Sequence, residues 1–310
     1  MSKHKSRLLV IGGQGFIGSH IVSSAVERGW HVTSLGLSQR QSILEKPSTG
    51  VSYVAADITN SGVLREALGE CSFEYVVNCG GYIDHALFFN GGRKVLDAHF
   101  LGVTNLVEVL DRKSLQAFVN IGSSDEYGNT PAPQLEAQRE APITPYSLAK
   151  VAATHFLQML HRTEGFPATT LRLFLTYGPG QDNRRFFPQI ILGCLEGRSF
   201  PTSKGEQRRD FCYVGDTVAA IFSALTSPMA KGQVVNIGSG QPVSIRKMIE
   251  TVRFLIGRGE PRYGEIAYRP GENMELYADI SKARDLLGWE PKVSLEAGLA
   301  RTIQWFRDQS

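Results

Sequence analysis

A chain of 310 residues, 42% hydrophobic and 20% charged, can bury one large core or two that share a boundary. Its net charge is only +3 and its basic residues are scattered, which argues against a nucleic-acid partner. No apolar run approaches the roughly 18 residues that cross a bilayer, which argues against a membrane protein.

The first seven residues are polar and basic, and residues 8–11 are too short for a signal core. Arg7–Ile11 is an apolar run, as expected of a strand buried on both faces. It leads directly into Gly12-Gly13-Gln14-Gly15-Phe16-Ile17-Gly18, and residues 19–28 read as a helix. Strand, glycine loop and helix opening form a dinucleotide fingerprint, Gly12-x-x-Gly15-x-x-Gly18. Glycines let the backbone approach a pyrophosphate, which sits at the helix N-terminus beside Phe16 and Ile17.

Residues 31–35 form the second strand. A chain that binds NAD usually ends this strand with an acid for the ribose hydroxyls; here Gly36 stands there, followed by Ser38 and Arg40. Without that carboxylate nothing repels a 2′-phosphate, and Ser38 and Arg40 supply donors for one, which favours NADP over NAD. A solvated loop is the plainer alternative for Arg40. Val51–Ala55 is a third strand, with Asp57 and Ile58 placed for the adenine edge. Residues 61–69 are helical and 73–77 a fourth strand, closed by Asn78-Cys79-Gly80-Gly81, where Cys79 and Gly80 are small enough for a cofactor to pass.

Residues 92–112 give one long helical pattern, 117–121 a fifth strand, and 171–175 a sixth. Strands alternating with helices at this spacing predict a doubly wound parallel sheet, a Rossmann fold, with ligands beyond its carboxyl ends. Gly122-Ser123-Ser124-Asp125-Glu126-Tyr127-Gly128 follows the fifth strand, then a proline-rich loop, then Tyr146-Ser147-Leu148-Ala149-Lys150. On a helix, Tyr146 and Lys150 share a face, and a nearby ammonium lowers a phenol's pKa toward neutrality. By itself the pair is what any exposed helix offers; a serine, a phenol and an ammonium after one strand end are what carbonyl and alcohol chemistry needs.

Beyond residue 173 the elements shorten: helices at 187–195, 216–225, 243–256, 281–287 and 294–306, and strands at 207–211 and 234–237. The expected division is a dinucleotide-binding domain over 1–173 and a smaller α+β substrate domain over 174–310, with 211–236 returning to the first. The four cysteines, Cys71, Cys79, Cys194 and Cys212, show no C-x-x-C or metal spacing. No metal is expected, and reduced thiols point to the cytoplasm.

Six motifs in order, the glycine loop, Ser123 before Tyr127-Gly128, Tyr146-x-x-x-Lys150, Tyr177-Gly178-Pro179, Arg209-Asp210-Phe211 and Arg269-Pro270-Gly271, resemble the extended short-chain dehydrogenase/reductase family, which acts on nucleotide-sugars. The resemblance spans residues 8–305. It implies a catalytic Ser123, Tyr146 and Lys150, with Ser123 and Ser124 facing the sugar and Arg209 and Arg269 binding the nucleotide diphosphate. It also implies a homodimer. Within the family, the Ser123–Gly128 stretch is most similar to reductases of nucleotide-linked 4-keto-6-deoxyhexoses, which consume NADPH. Asp125 stands where the family's dehydratases carry a catalytic Glu, so dehydration and epimerisation with retained cofactor are the alternatives, and a non-catalytic NADP sensor is a third. This chain departs from the family at Gly36, at His99, where an Asn is common, and at Leu175-Thr176, where an Asn usually precedes Tyr-Gly-Pro.

Overall fold

A computed structural model describes residues 5–38, 50–268 and 271–309. The strands are β1 (Arg7–Ile11), β2 (His31–Gly36), β3 (Val51–Ala55), β4 (Tyr75–Asn78), β5 (Ala117–Ser123), β6 (Ala168–Leu173), β7 (Leu175–Tyr177), β8 (Ser199–Thr202), β9 (Arg208–Tyr213), β10 (Val234–Ile237), β11 (Pro242–Ser244), β12 (Glu260–Tyr263) and β13 (Glu275–Leu276). The helices are α1 (Phe16–Glu27), α2 (Ser61–Leu68), α3 (Gly92–Leu96), α4 (Gly102–Val109), α5 (Pro145–Glu164), α6 (Phe186–Leu195), α7 (Val214–Thr226), α8 (Ile245–Ile256), α9 (Ser281–Leu287) and α10 (Leu295–Gln309).

Seven strands form one sheet in the order β10-β6-β5-β4-β1-β2-β3, and every pairing in it is parallel. Successive residues of a strand face opposite sides, which is why its central strands are apolar throughout. Leu8 and Val10 pack on one side with Ile21, Val22 and Val218 of α1 and α7. Leu9 and Ile11 pack on the other with Leu64, Leu106 and Leu157 of α2, α4 and α5. This is the doubly wound sheet expected from the sequence.

A third core holds the later elements together: Phe187 and Ile191 of α6, Met248 and Ile249 of α8, and Leu299 and Ile303 of α10. Its sheets are small. β9 pairs with β7, β11 and β13, and β8 pairs with β12. Asp210, buried in β9, ties this part to the large sheet's end. Its carboxylate accepts Ser239 Oγ at 2.6 Å and the backbone N–H groups of Ser239, Gly240 and Ala278 at 2.5, 2.9 and 3.1 Å.

Several elements differ from the sequence reading. The first helix begins at Phe16, three residues early. Residues 171–175 are not one strand: β6 ends at Leu173 and β7 restarts at Leu175 to join the other sheet. The long helix over 92–112 is interrupted by a π-helical segment, Asp97–Leu101, and stops at Val109. Strands β8, β11, β12 and β13 were not foreseen, because two to four residues carry no period, and β11 takes residues read as the start of the helix over 243–256.

Candidate active site

Helix α5 is started by a capping box: Thr144 Oγ1 accepts the Ser147 N–H at 3.1 Å, and Ser147 Oγ accepts the Thr144 N–H at 3.0 Å. Pro145 occupies the first helical turn, where its missing N–H costs nothing. Tyr146 is thereby fixed in the first turn, 4% exposed, with Lys150 one turn on and buried. The Lys150 ammonium donates to the Ile121 carbonyl at 2.7 Å, and its Nζ lies 5.8 Å from the Tyr146 ring centre. The Ser123 side chain lies close enough to the Tyr146 hydroxyl to favour its charged form, and its backbone begins the turn after β5. The sequence-predicted trio is one contiguous group.

Burial decides its electrostatics. It pulls the Lys150 ammonium down to about 8, against the opposing pull of Glu126. It also pushes the Tyr146 phenol above its ordinary value, and the Asp125 carboxylate adds to that push. The groups that favour phenolate are Ser123 and, more weakly, Arg185, rather than the Lys150 expected from the sequence, and desolvation outweighs them. Tyr146 is held as a neutral O–H.

Two histidines close round Tyr146. His99, in the π segment, meets the phenol ring edge-on at 5.0 Å between centres, and its Nε2 bonds the Tyr82 carbonyl at 2.7 Å. Burial and Lys150 hold it down at about 3, so it is a neutral imidazole. Gly81 must lack a side chain here, since a Cβ would lie 2.3 Å from His99 Cε1 at φ +99°. His85 also meets the phenol ring, at 5.7 Å, and its Nε2 is 2.9 Å from Asp125 Oδ2. The Asp125 carboxylate raises both the Tyr146 phenol and the Arg209 guanidinium.

The other carboxylate near Tyr146 is Glu126. It is fully buried and bonds Ser123 N–H at 2.9 Å, Thr154 Oγ1 at 3.0 Å and Arg172 Nε at 2.8 Å. Arg172 continues to Glu140 at 2.5 Å and stacks on the Tyr127 ring at 4.6 Å. The sequence reading quoted Glu126 without a role; only its distant partner Arg172, on β6, reveals one. Ser124, next to Ser123, is buried.

The glycine loop fits a pyrophosphate. A Cβ on Gly18 would strike the Gly12 carbonyl at 2.1 Å, and one on Gly12, at φ +72°, would strike the Cys79 carbonyl at 2.8 Å. The loop thus lies flush against the end of β4. Helix α1 opens at Phe16 and Ile17 without a side-chain cap, leaving its first N–H groups to an anion. Cys79 donates its thiol hydrogen to Ile11 O at 2.9 Å, and burial pushes that thiol up to about 12. A Cβ on Gly80 would come within 2.7 Å of Ile11 Cγ2 and 3.5 Å of Ile58 Cδ1. Asp57 caps its own turn, accepting Thr59 N–H at 2.9 Å and Thr59 Oγ1 at 2.8 Å.

Gly36 has a neighbour the sequence did not foresee. Gln14 Nε2 donates to the Ser38 carbonyl at 2.6 Å, and a Cβ on Gly36 would sit 2.6 Å from Gln14 Oε1. Gln14 therefore occupies the space that an acidic side chain at position 36 would need. Arg40 and Arg269 lie outside the described residues. Arg209 is buried, ion-paired to Glu272, and donates to the Arg208 carbonyl at 2.9 Å. Among the described residues no cluster of His, Cys, Asp or Glu could hold a metal, and no helix is long and apolar enough to cross a membrane.

The chain is similar over nearly its whole length to enzymes of nucleotide-sugar metabolism. It is 28% identical to a dTDP-glucose 4,6-dehydratase of Xanthomonas campestris pv. campestris, covering 96% of this chain and 92% of that one. It superposes on the UDP-glucose 4-epimerase of Thermotoga maritima, solved with UDP-glucose, with a TM-score of 0.90 at 28% identity, covering 98% and 99% of the two chains. MoeE5, solved with UDP-glucuronic acid and NAD, gives a TM-score of 0.85 at 25% identity over 98% of this chain and all of that one. The model of the NAD-dependent epimerase/dehydratase family matches residues 8–238, and with that match the glycine loop and the Ser123, Tyr146 and Lys150 group place this chain in that family.

Proposed function

We propose that this enzyme reduces the 4-keto group of a nucleotide-linked 6-deoxyhexose, with NADPH as the second substrate. The observation that carries this reading is the state of the acids round Tyr146. Glu126 is committed to Arg172, Thr154 and Ser123, and Asp125 is paired with His85. Dehydration needs a free base for a sugar carbon; hydride transfer at C4 needs only a proton donor and an oxygen anchor. Tyr146, kept neutral by burial, gives its proton to the C4 oxygen as that oxygen gains charge. Ser123 hydrogen-bonds the same oxygen, and Lys150 holds the ribose and returns positive charge to the phenol. The nicotinamide supplies the hydride. Gly12, Gly15 and Gly18 with the first turn of α1 hold the pyrophosphate, Ile58 and Asp57 border the adenine, Ser38 and Gln14 stand toward the 2′ position, and Arg40 is assigned to a 2′-phosphate by its charge alone. Absence of a carboxylate at position 36, beside the Gln14 side chain, supports NADP over NAD. Arg209 and Arg269 take the diphosphate of the sugar nucleotide, and Ser124 lines the sugar side.

The test is incubation with dTDP-4-keto-6-deoxyglucose, and with a panel of UDP-, dTDP- and GDP-hexoses, each with and without NADPH, read by mass spectrometry. A gain of two hydrogens is expected. Loss of water or an unchanged mass with altered stereochemistry would replace reduction by dehydration or epimerisation. Epimerisation with a retained cofactor is the second reading, supported by the extent of the likeness to the Thermotoga maritima enzyme.

We also propose that residues 174–310 form the substrate domain, apart from α7 and β10, which pack with the large sheet, and that the enzyme is a cytoplasmic homodimer. The face suited to the partner copy carries Phe100, Leu101, Leu148 and Met159, all exposed on the π segment and α5. Light scattering at micromolar concentration should give twice the 34.1 kDa chain mass; a monomer mass overturns the dimer.

A further inference from the structure

We propose that Glu126 is a positioning residue of this active site: one buried carboxylate fixes Ser123 at the sugar and keeps the ammonium of Lys150 charged. The inference takes Ser123 and Lys150 as working residues and so rests on the function proposed above.

The geometry is specific. Glu126 Oε1 accepts the Ser123 N–H at 2.9 Å, while Ser123 Oγ accepts the Asp125 N–H at 3.1 Å, so the serine is held from both ends of its own turn. Glu126 Oε2 accepts Thr154 Oγ1 at 3.0 Å, and Thr154 stands one helical turn after Lys150 on the same face of α5. The carboxylate therefore spans the gap between the strand end that carries Ser123 and the helix that carries Lys150. Gly122 makes room for it, since a Cβ there would lie 2.6 Å from Glu126 Oε1. Arg172, itself fully buried, makes the buried charge tolerable by pairing with it at 2.8 Å.

The electrostatic half follows from what else faces Lys150. Cys79 at the end of β4 is pushed up to about 12, His99 in the π segment is held at about 3, and Tyr146 on α5 is raised. All three are uncharged near neutral pH. Glu126 is the larger of the two groups, with Cys79, that oppose the desolvation drawing Lys150 down to about 8, and it is the one that carries charge near neutral pH. Without it the ammonium would lose its proton within the physiological range, and the phenol would lose its cationic neighbour.

The experiment reads Lys150 directly. Protein labelled with ¹³C at lysine Cε is titrated from pH 5.5 to 10 by NMR, with the Lys150 resonance assigned through Lys150→Arg. In Glu126→Gln the Lys150 midpoint should fall by about 1 pH unit or more, the effect of removing an opposite charge at this range. Because this change leaves Arg172 without its partner and can unfold the chain, Glu126→Gln/Arg172→Met removes both charges and is read in the same way. Glu126→Asp restores the charge with a shorter reach: the midpoint should return toward that of the parent while kcat with dTDP-4-keto-6-deoxyglucose and NADPH stays reduced, since the Ser123 contact is lost. An unchanged midpoint in either charge-removing variant overturns the inference. Absence of turnover by the parent on this substrate would count against the functional reading and leaves the midpoint comparison standing.

Discussion

Tyr146 and Lys150 lie one turn apart on α5, and burial drives both toward the neutral form. For the phenol this is useful, because a neutral O–H is the form a proton donor must start from. For the lysine it sets an upper limit on working pH. Lys150 at about 8 is an ammonium below that value and an amine above it, so turnover should fall as pH rises through about 8 and hold below it; a flat kcat from pH 7 to 9.5 would contradict this. Tyr146→Phe removes only the transferable proton. Turnover should drop by about 10²–10⁴, the usual worth of general acid catalysis, while calorimetry finds cofactor affinity unchanged. Tyr146, Lys150, Ser123 and the glycines were legible in the sequence because each stands within a short run whose spacing is its meaning. Glu126, Gln14 and the histidines were not. Their roles come from partners far away in the chain, Arg172 at 46 positions and Asp125 opposite His85 at 40, and no local spacing encodes such a meeting.

At the scale of elements, the strands of the large sheet could be read because each is buried on both faces and therefore apolar at every position. The π segment at Asp97–Leu101 could not, since one extra residue in a turn leaves the apolar pattern nearly intact. Its effect is local and chemical: it carries the ring of His99 against Tyr146. The strand β9 shows a different economy. Arg209-Asp210-Phe211 reads in sequence as a binding motif, yet Asp210 is a brace, receiving three backbone N–H groups and one hydroxyl. Asp210→Ala should destabilise the chain by about 3 kcal/mol or more, because several buried donors lose their acceptor together. Urea unfolding checks this; a loss below about 1 kcal/mol would mean that water replaces the carboxylate.

For the whole molecule, the order of the strands in space differs from their order in synthesis. β10, at residues 234–237, completes the large sheet by pairing with β6, which ends at Leu173. A ribosome therefore finishes β6 some sixty residues before its outer neighbour exists, about 3–12 s at ordinary elongation rates. Throughout that interval β6 presents an unpaired parallel edge made of buried-type residues, a ready template for a second nascent chain. Soluble yield should accordingly respond to the tempo of translation and to chaperone supply. A chain stopped after residue 173 should collect in the insoluble fraction, whereas one extended through Ile237 recovers measurably into the soluble one.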